Sequence, residues 1–176
     1  MSIESLRFAY ADPPYIGQAK KHYQSEEVDH AALIARLESE YDGWALSCKS
    51  DARELSWLIS LCKKPVRLGA WVKPFCSFKP NVNPAYAWEP LIFFSPRKRE
   101  RYEKTRRDWV SANITLKRGM AGAKPGEFCS WLFELLNLKP GDELCDLFPG
   151  SGAVTRAWEQ FRAERHADEQ GHSLYT

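Results

Sequence analysis

The sequence predicts an α/β fold built on a largely parallel sheet, and three observations carry that prediction. Short β-prone runs alternate with segments whose apolar residues recur at helical spacing. Two of those runs break off at distinctive turns, Asp12-Pro13-Pro14-Tyr15 and Gly150-Ser151-Gly152, and folds of this class gather their sites at such strand ends. The 176 residues are 44% apolar and 27% charged, the composition of one folded domain, which excludes a disordered chain, a collagen-like repeat or a coiled coil.

Along the chain, Leu6 to Ala11 reads as a strand that the two prolines at 13 and 14 forbid from continuing. Asp29 is placed to cap a helix running to Tyr41, with Leu33, Ile34, Leu37 and Tyr41 on one face and Asp42-Gly43 ending it. Trp44 to Cys48 is a second strand. Ser50 or Asp51 opens a second helix, with Leu55, Leu58, Ile59 and Cys62 at helical spacing and Pro65 past its end, and Val66 to Val72 is a third strand. Residues 73–90 read as a loop punctuated by Pro74, Pro80, Pro84 and Pro90, in which Phe75, Phe78, Tyr86 and Trp88 interleave with Lys73 and Lys79. Leu91 to Phe94 is a fourth strand, and the basic run Arg97 to Arg107 follows. A helix from Pro125 to Leu138 presents Phe128, Trp131, Leu132, Leu135 and Leu136, with Pro125 suited to its first position. After the Pro140-Gly141 turn come a strand from Leu144 to Phe148, the glycine turn, and a last helix carrying Val154, Ala157, Trp158 and Phe161 to about Arg165.

Cysteine and histidine usage narrows the chemistry. The five cysteines contain no CxxC pair, so neither a disulfide framework nor a zinc site is indicated, and reduced core thiols are expected. His22, His30, His166 and His172 form no ligand cluster, so no metal is expected. No apolar stretch reaches the roughly 18 residues of a membrane span, and the start MSIESLRF lacks a secretory layout, so a cytoplasmic location without membrane attachment is the expectation. Residues 97–118 hold nine Lys or Arg against three acids, which leaves the rest of the chain at −4 out of a net +2. That segment is a candidate for meeting phosphate. With Lys73 and Lys79 it supplies the expected nucleic-acid contacts Arg97, Arg99, Arg101, Arg106 and Arg107, beside Tyr102 and Trp109. A solvated helix is the alternative, since Glu100 and Glu103 offer pairs at spacings of three and four.

The first turn has coherent chemistry. Pro-Pro carries no backbone donors and fixed φ, so the Pro13 carbonyl stays free beside the Asp12 carboxylate, while Tyr15 offers a flat face. Two acceptors and a stacking surface suit an exocyclic amino group on a nucleobase. In the second string, Asp146-Leu147-Phe148-Pro149-Gly150-Ser151-Gly152, the glycines let backbone approach a ligand and the next helix presents N–H donors, as a cofactor cradle requires. A Walker loop is excluded for want of Gly-Lys-Ser/Thr, and the dinucleotide pattern fails at Thr155. Glu89 fits either a group that orients the pocket or a surface residue.

Together, and in this order, the two strings resemble amino-group DNA methyltransferases that use S-adenosylmethionine. Asp12 to Tyr15 looks like their catalytic DPPY motif, Asp146 to Gly152 looks like their FxGxG cofactor motif, and Lys124-Pro125 looks like the KP element that accompanies it. The resemblance implies a Rossmann-like methyltransferase fold in the permuted, beta-type order: a catalytic half (1–96), a basic segment available for target recognition (97–123) and a cofactor half (124–176). It implies adenine as the target base. Asp12 and the Pro13 carbonyl would bind the amino group within the Asp12-Pro13-Pro14-Tyr15 string and Tyr15 would stack. Lys124, Pro125, Asp146, Phe148, Gly150, Ser151 and Gly152 would line the cofactor pocket. The chain departs from the pattern past the last helix, where the two strands expected next are absent or reduced to HSLYT, and where Asp168 or Glu169 are the only candidates to hold a ribose. The expected partner is DNA, with RNA as an alternative, and a second copy or a separate subunit is left open. The rival to an enzyme is a non-catalytic, nucleic-acid-binding methyltransferase-like subunit.

Overall fold

The computed structural model describes residues 4–16, 27–75, 80–115 and 123–172, with side chains in the last helix described to Arg165. Six strands form one sheet: β1 (Arg7–Ala11), β2 (Gly43–Ser47), β3 (Arg67–Val72), β4 (Trp88–Phe94), β5 (Trp109–Ser111) and β6 (Glu143–Asp146). Four helices accompany them: α1 (His30–Glu40), α2 (Ala52–Leu61), α3 (Gly126–Leu136) and α4 (Ala153–His172). The strand order is β5-β3-β4-β2-β1-β6, and β4 alone runs against the rest. The α/β fold with a largely parallel sheet is therefore as the sequence predicts.

Strand alternation sorts the core into two layers. Phe8 and Tyr10 of β1, Ala45 of β2, Trp71 of β3 and Leu91 and Phe93 of β4 face α3 and α4, where Phe128, Leu132, Phe133 and Trp158 meet them. Ala9, Ala11, Trp44, Leu46 and Ile92 face the other way, against Leu33, Ile34 and Leu37 of α1 and Leu58 of α2. Asp29 caps α1 through the Ala32 N–H at 2.9 Å, and Asp51 caps α2 through the Arg53 and Glu54 N–H groups. Cys48, Cys62, Cys129 and Cys145 are free thiols, and Cys76 lies outside the described residues.

The structure differs from the sequence reading at five places. β4 begins at Trp88 and contains Pro90, which the loop reading had made a boundary. Pro90 O accepts from Cys48 N at 3.1 Å, so its donorless nitrogen faces Cys48, just past the end of β2 at Ser47, and the ladder with β3 on the other side is left intact. β5 is a three-residue strand inside the segment read as a linker, too short to show a period. β6 stops at Asp146, and Pro125 stands at the N-cap of α3 rather than in its first turn. α4 continues to His172, and among the described residues β6 is the edge of the sheet; residues 173–176 of the HSLYT segment lie outside them.

The basic run leaves the end of the reversed strand β4, so it lies at the amino ends of the parallel strands. There it closes the carboxyl end of α3, where cations are favoured. Ser95 Oγ donates to Leu136 O at 2.7 Å, Arg99 donates to Glu134 O, and Arg97 Nη1 donates to Asn137 O at 3.2 Å. Arg97 also forks onto the Asp142 carboxylate, with Nη2 to Oδ1 at 2.6 Å, while the Leu6 and Lys139 N–H groups fill the remaining acceptor sites at 3.0 and 2.7 Å. Burial pushes the Asp142 carboxyl up, but Arg97 and the two N–H groups outweigh it and hold the group below its usual range.

Asp142→Asn should therefore cost about 3 kcal/mol at pH 7, because it leaves the Arg97 charge buried without its partner. The contribution is present above the unfolded carboxyl pKa of about 4 and is lost as pH falls through the lower folded value. Urea unfolding of parent and variant should show the gap closing below pH 4; a gap that persists unchanged to pH 2 would refute this assignment.

Candidate active site

β1 and β6 are parallel neighbours in the register Tyr10↔Asp146, and Leu147 N donates to Tyr10 O at 2.9 Å. The loops that follow, Asp12 to Tyr15 and Leu147 to Gly152, thus leave the same end of the sheet side by side. The helices next in sequence take opposite faces, α1 on one and α4 on the other. The crevice between such strands, where the connections part, is the ligand position of open α/β sheets.

The side chains behind Asp12 form a closed charge cluster. Lys124, just ahead of α3, places Nζ 3.0 Å from Asp12 Oδ2 and 2.6 Å from Glu89 Oε1. Glu89 on β4 turns its other oxygen to Lys73 Nζ at 2.9 Å and accepts from the Tyr15 hydroxyl at 3.1 Å. The Trp71 ring lies beneath both ammonium groups, 4.3 Å from Lys73 Nζ and 5.2 Å from Lys124 Nζ, and its Nε1 is held by Ala112 O at 2.8 Å. Two carboxylates and two ammonium groups neutralise one another, which is the condition for burying them.

The cluster sets the proton affinities. Burial dominates at Asp12 and, with Glu89 adding to it, raises the carboxyl despite Lys124. At Glu89 burial acts in the same sense but is outweighed by Lys124 and Lys73, so this carboxyl is held below its usual range. For Lys124, burial disfavours the charge, yet Asp12, Tyr10 and Glu89 hold it as an ammonium. Tyr15 is raised by burial and by Glu89, so its hydroxyl stays protonated.

The glycine turn is shaped for close approach. Gly150 has φ +46° and Gly152 φ +69°, the left-handed region that side chains resist. Asp146 Oδ2 accepts from Thr155 Oγ1 at 3.4 Å and the Phe148 backbone N–H lies near the carboxylate, while Oδ1 is buried with no hydrogen bond of normal geometry among the described residues. An unsatisfied buried acceptor beside a glycine turn is a place for a ligand donor.

The residues singled out from sequence are thus brought together unequally. Asp12, Pro13, Pro14, Tyr15, Asp146, Phe148, Gly150, Ser151 and Gly152 lie at the ends of the two adjacent strands. Lys124 lies against Asp12 and Glu89, and Pro125 caps α3 behind it. Lys73 is taken up by Glu89. Arg97, Arg99, Arg101, Arg106 and Arg107 are at the other end of β4, whose seven residues span roughly 20 Å. Arg97 and Arg99 are bound into the fold as described, Arg106 pairs with Glu134 at 3.3 Å, and Arg107 lies over Trp109. Lys79 lies outside the described residues. Among the described residues no group of three or more His, Cys, Asp or Glu is arranged to hold a metal ion.

Glu89 and Trp71 are the site residues that sequence reasoning left undecided or passed over. The signal for Glu89 is periodicity: once the strand is extended back to Trp88, Glu89 shares a face with Leu91 and Phe93, and an acid on a core face needs a partner.

No protein-family model matches the chain, and no curated protein matches it in sequence. Solved structures do match. The M1.HpyAVI-SAM complex superposes with a TM-score of 0.59 at 17% identity, over 89% of this chain and 78% of that one. A second structure, of M1.HpyAVI, gives 0.55 at 15% identity, over 90% and 78%. The chain has a methyltransferase fold. Within this methyltransferase fold the described sheet places the Asp12 loop and the glycine turn on neighbouring strands, although they are more than a hundred residues apart in the chain.

If the turn is built around its two left-handed glycines, Gly150→Ala and Gly152→Ala should each destabilise by about 1–2 kcal/mol. A Cβ at Gly150 meets nothing closer than 3.9 Å, and one at Gly152 would press only on the end of the long Arg156 side chain, at 2.9 Å from the Nη1 that donates to Ser151 O, so backbone strain is the main cost. Urea midpoints equal to that of the parent would mean the turn adopts another conformation.

Proposed function

We propose that this chain transfers a methyl group from S-adenosylmethionine to the exocyclic amino nitrogen of adenine in DNA. The observation that carries the reading is the pairing of β1 with β6, which sets the Asp12-Pro13-Pro14-Tyr15 string beside the Asp146 to Gly152 turn. The likeness in fold to a structure solved with SAM supports the choice of cofactor. So do the residues: the unpartnered Asp146 Oδ1 suits a donor on that molecule, and the glycine turn leaves room for it. Asp146, Phe148, Gly150, Ser151 and Gly152 would hold the cofactor, which supplies a methyl group on a cationic sulfur.

The protein's own residues then account for the nucleophile. An adenine amino nitrogen shares its lone pair with the ring and is a poor nucleophile. The Asp12 carboxylate, with Oδ2 on Lys124, can take one amino N–H through Oδ1, and the Pro13 carbonyl can take the other, so the lone pair localises towards the methyl. Tyr15, tethered to Glu89 through its hydroxyl, keeps its ring fixed as a stacking surface for a base withdrawn from its helix. None of the thiols is required as a nucleophile. Phe75, Tyr86 and Trp88 are each about half exposed near the same end of the sheet and offer further stacking for an unpaired strand, with Lys49 lying over Tyr86. Phosphate contacts from Arg101 and Arg107 would require nucleic acid to reach the opposite end of the sheet.

The test is transfer of labelled methyl from S-adenosylmethionine to DNA and to RNA, followed by digestion to nucleosides. Label in N6-methyl-2′-deoxyadenosine from DNA is the expected result; label confined to RNA nucleosides would change the substrate, and none in either would favour the non-catalytic subunit. Asp12→Asn turns one acceptor into a donor facing an N–H and should slow turnover roughly a hundredfold to a thousandfold, the scale for one such preorganised contact. Its affinity for S-adenosylmethionine should stay within about a factor of three, because the lost contact belongs to the transition state. Turnover at the parental rate would remove Asp12 from the chemistry. Because Asp12 has a raised pKa, activity in the parent should begin to fall with acidification above the ordinary aspartate range near 4, as the acceptor is protonated.

A further inference from the structure

Glu89 stands at the centre of the charge cluster, joined to Asp12 through Lys124 and to Tyr15 directly. Its two oxygens take three donors: Lys124 Nζ at 2.6 Å on one, Lys73 Nζ at 2.9 Å and the Tyr15 hydroxyl at 3.1 Å on the other. Asp12 receives only a share of Lys124, at 3.0 Å. Glu89 is buried at 5% exposure and Lys124 at 9%, so neither interaction is strongly screened by solvent. Glu89 thus draws the Lys124 ammonium away from Asp12 while clamping Tyr15.

We infer that Glu89 is the positioning residue of this site: by dividing the Lys124 charge it keeps the Asp12 carboxylate basic, and by holding the Tyr15 hydroxyl it fixes the stacking ring. The inference rests on the proposed methyl transfer for its purpose. As the new N–C bond forms and the C–S bond breaks, the C–S electron pair stays on sulfur. The nitrogen then carries a surplus proton, and as it leaves to Asp12 the N–H pair returns to nitrogen. A carboxylate paired with an undivided ammonium would be a weaker acceptor for that proton. The groups facing Asp12 are Lys124 ahead of α3, Glu89 on β4, Lys73 after β3, Tyr10 and Tyr15 from β1 and its loop, and Asp146 on β6. Among these Lys124 is the cation in direct contact, and Glu89 is the group that competes for it.

The test reads the Asp12 carboxyl itself, by ¹³C NMR titration of the folded full chain with the resonance assigned through Asp12→Asn. Glu89→Gln should lower the Asp12 pKa by about one unit, since a like charge is removed and Lys124 pairs with Asp12 alone. Lys124→Met should raise it by at least as much. Should Lys124→Met fail to fold, Lys124→Gln keeps the same sign with a hydrogen-bonding side chain. A cluster that merely packs the pocket would give shifts of the same sign in both variants, as each admits water, and that result, or no shift in Glu89→Gln, overturns the inference. The titration needs no substrate. A parent that transfers no methyl group would therefore defeat the proposed function, while opposite shifts in the two variants would still establish what Glu89 does to Asp12.

Discussion

Parallel pairing of β1 with β6 is the constraint on which the site depends. The two strands lie 136 residues apart in the chain, and the pair is secured at its amino end by contacts across that gap. There Asp142 accepts from the Leu6 N–H and from Arg97, while Ser5 donates to Gly141 O at 2.7 Å. With the amino ends tied, the register Tyr10↔Asp146 follows, and a slip by one residue would turn Asp12 from the α3 side of the sheet to the α1 side. Arg97, expected from sequence to meet phosphate, instead serves the site from its far end by joining the segment ahead of β1 to the turn ahead of β6.

The second requirement is electrical. A carboxylate meant to accept from an amino group has to remain charged although its side chain is only 26% exposed, and burial favours its neutral form. Lys124 supplies the counter-charge, but one lysine on one aspartate would make a closed ion pair with little tendency to accept anything else. Glu89 and Lys73 extend the pair into a four-membered neutral cluster over the Trp71 ring, so the charge on Asp12 is supported without being cancelled. Tyr10, buried and bonded to Ser47 Oγ at 2.9 Å, lies beside this cluster with a neutral hydroxyl.

Much of this was legible in the sequence, for identifiable reasons. The Asp29 and Asp51 caps, the apolar faces of α1 and α3 and the arrest of β1 at Pro13-Pro14 are local signals, and the structure keeps them. The two turns were legible as turns because glycine and proline restrict or free the backbone wherever they stand. What the sequence could not convey is which long-range partner each charge finds. Lys124, read as lining a cofactor pocket, meets Asp12; Lys73, read as a phosphate contact, meets Glu89; Arg97 meets Asp142. Each pairing joins residues on separate elements, so it exists only once the sheet order is set. Glu89 was obscured by Pro90, whose usual meaning as a strand breaker fails here because β2 ends beside it.

The central claim is that the loops after β1 and β6 form one site with the cofactor between them. It is tested most directly by titrating the ¹⁵N-labelled chain with S-adenosylmethionine and mapping the amide shifts. The account predicts saturable changes concentrated at residues 146–152 and continuing into Asp12 and Tyr15, with the basic segment at 97–107 unmoved. Changes confined to that segment, or absent from the Asp12 loop at saturation, would contradict it.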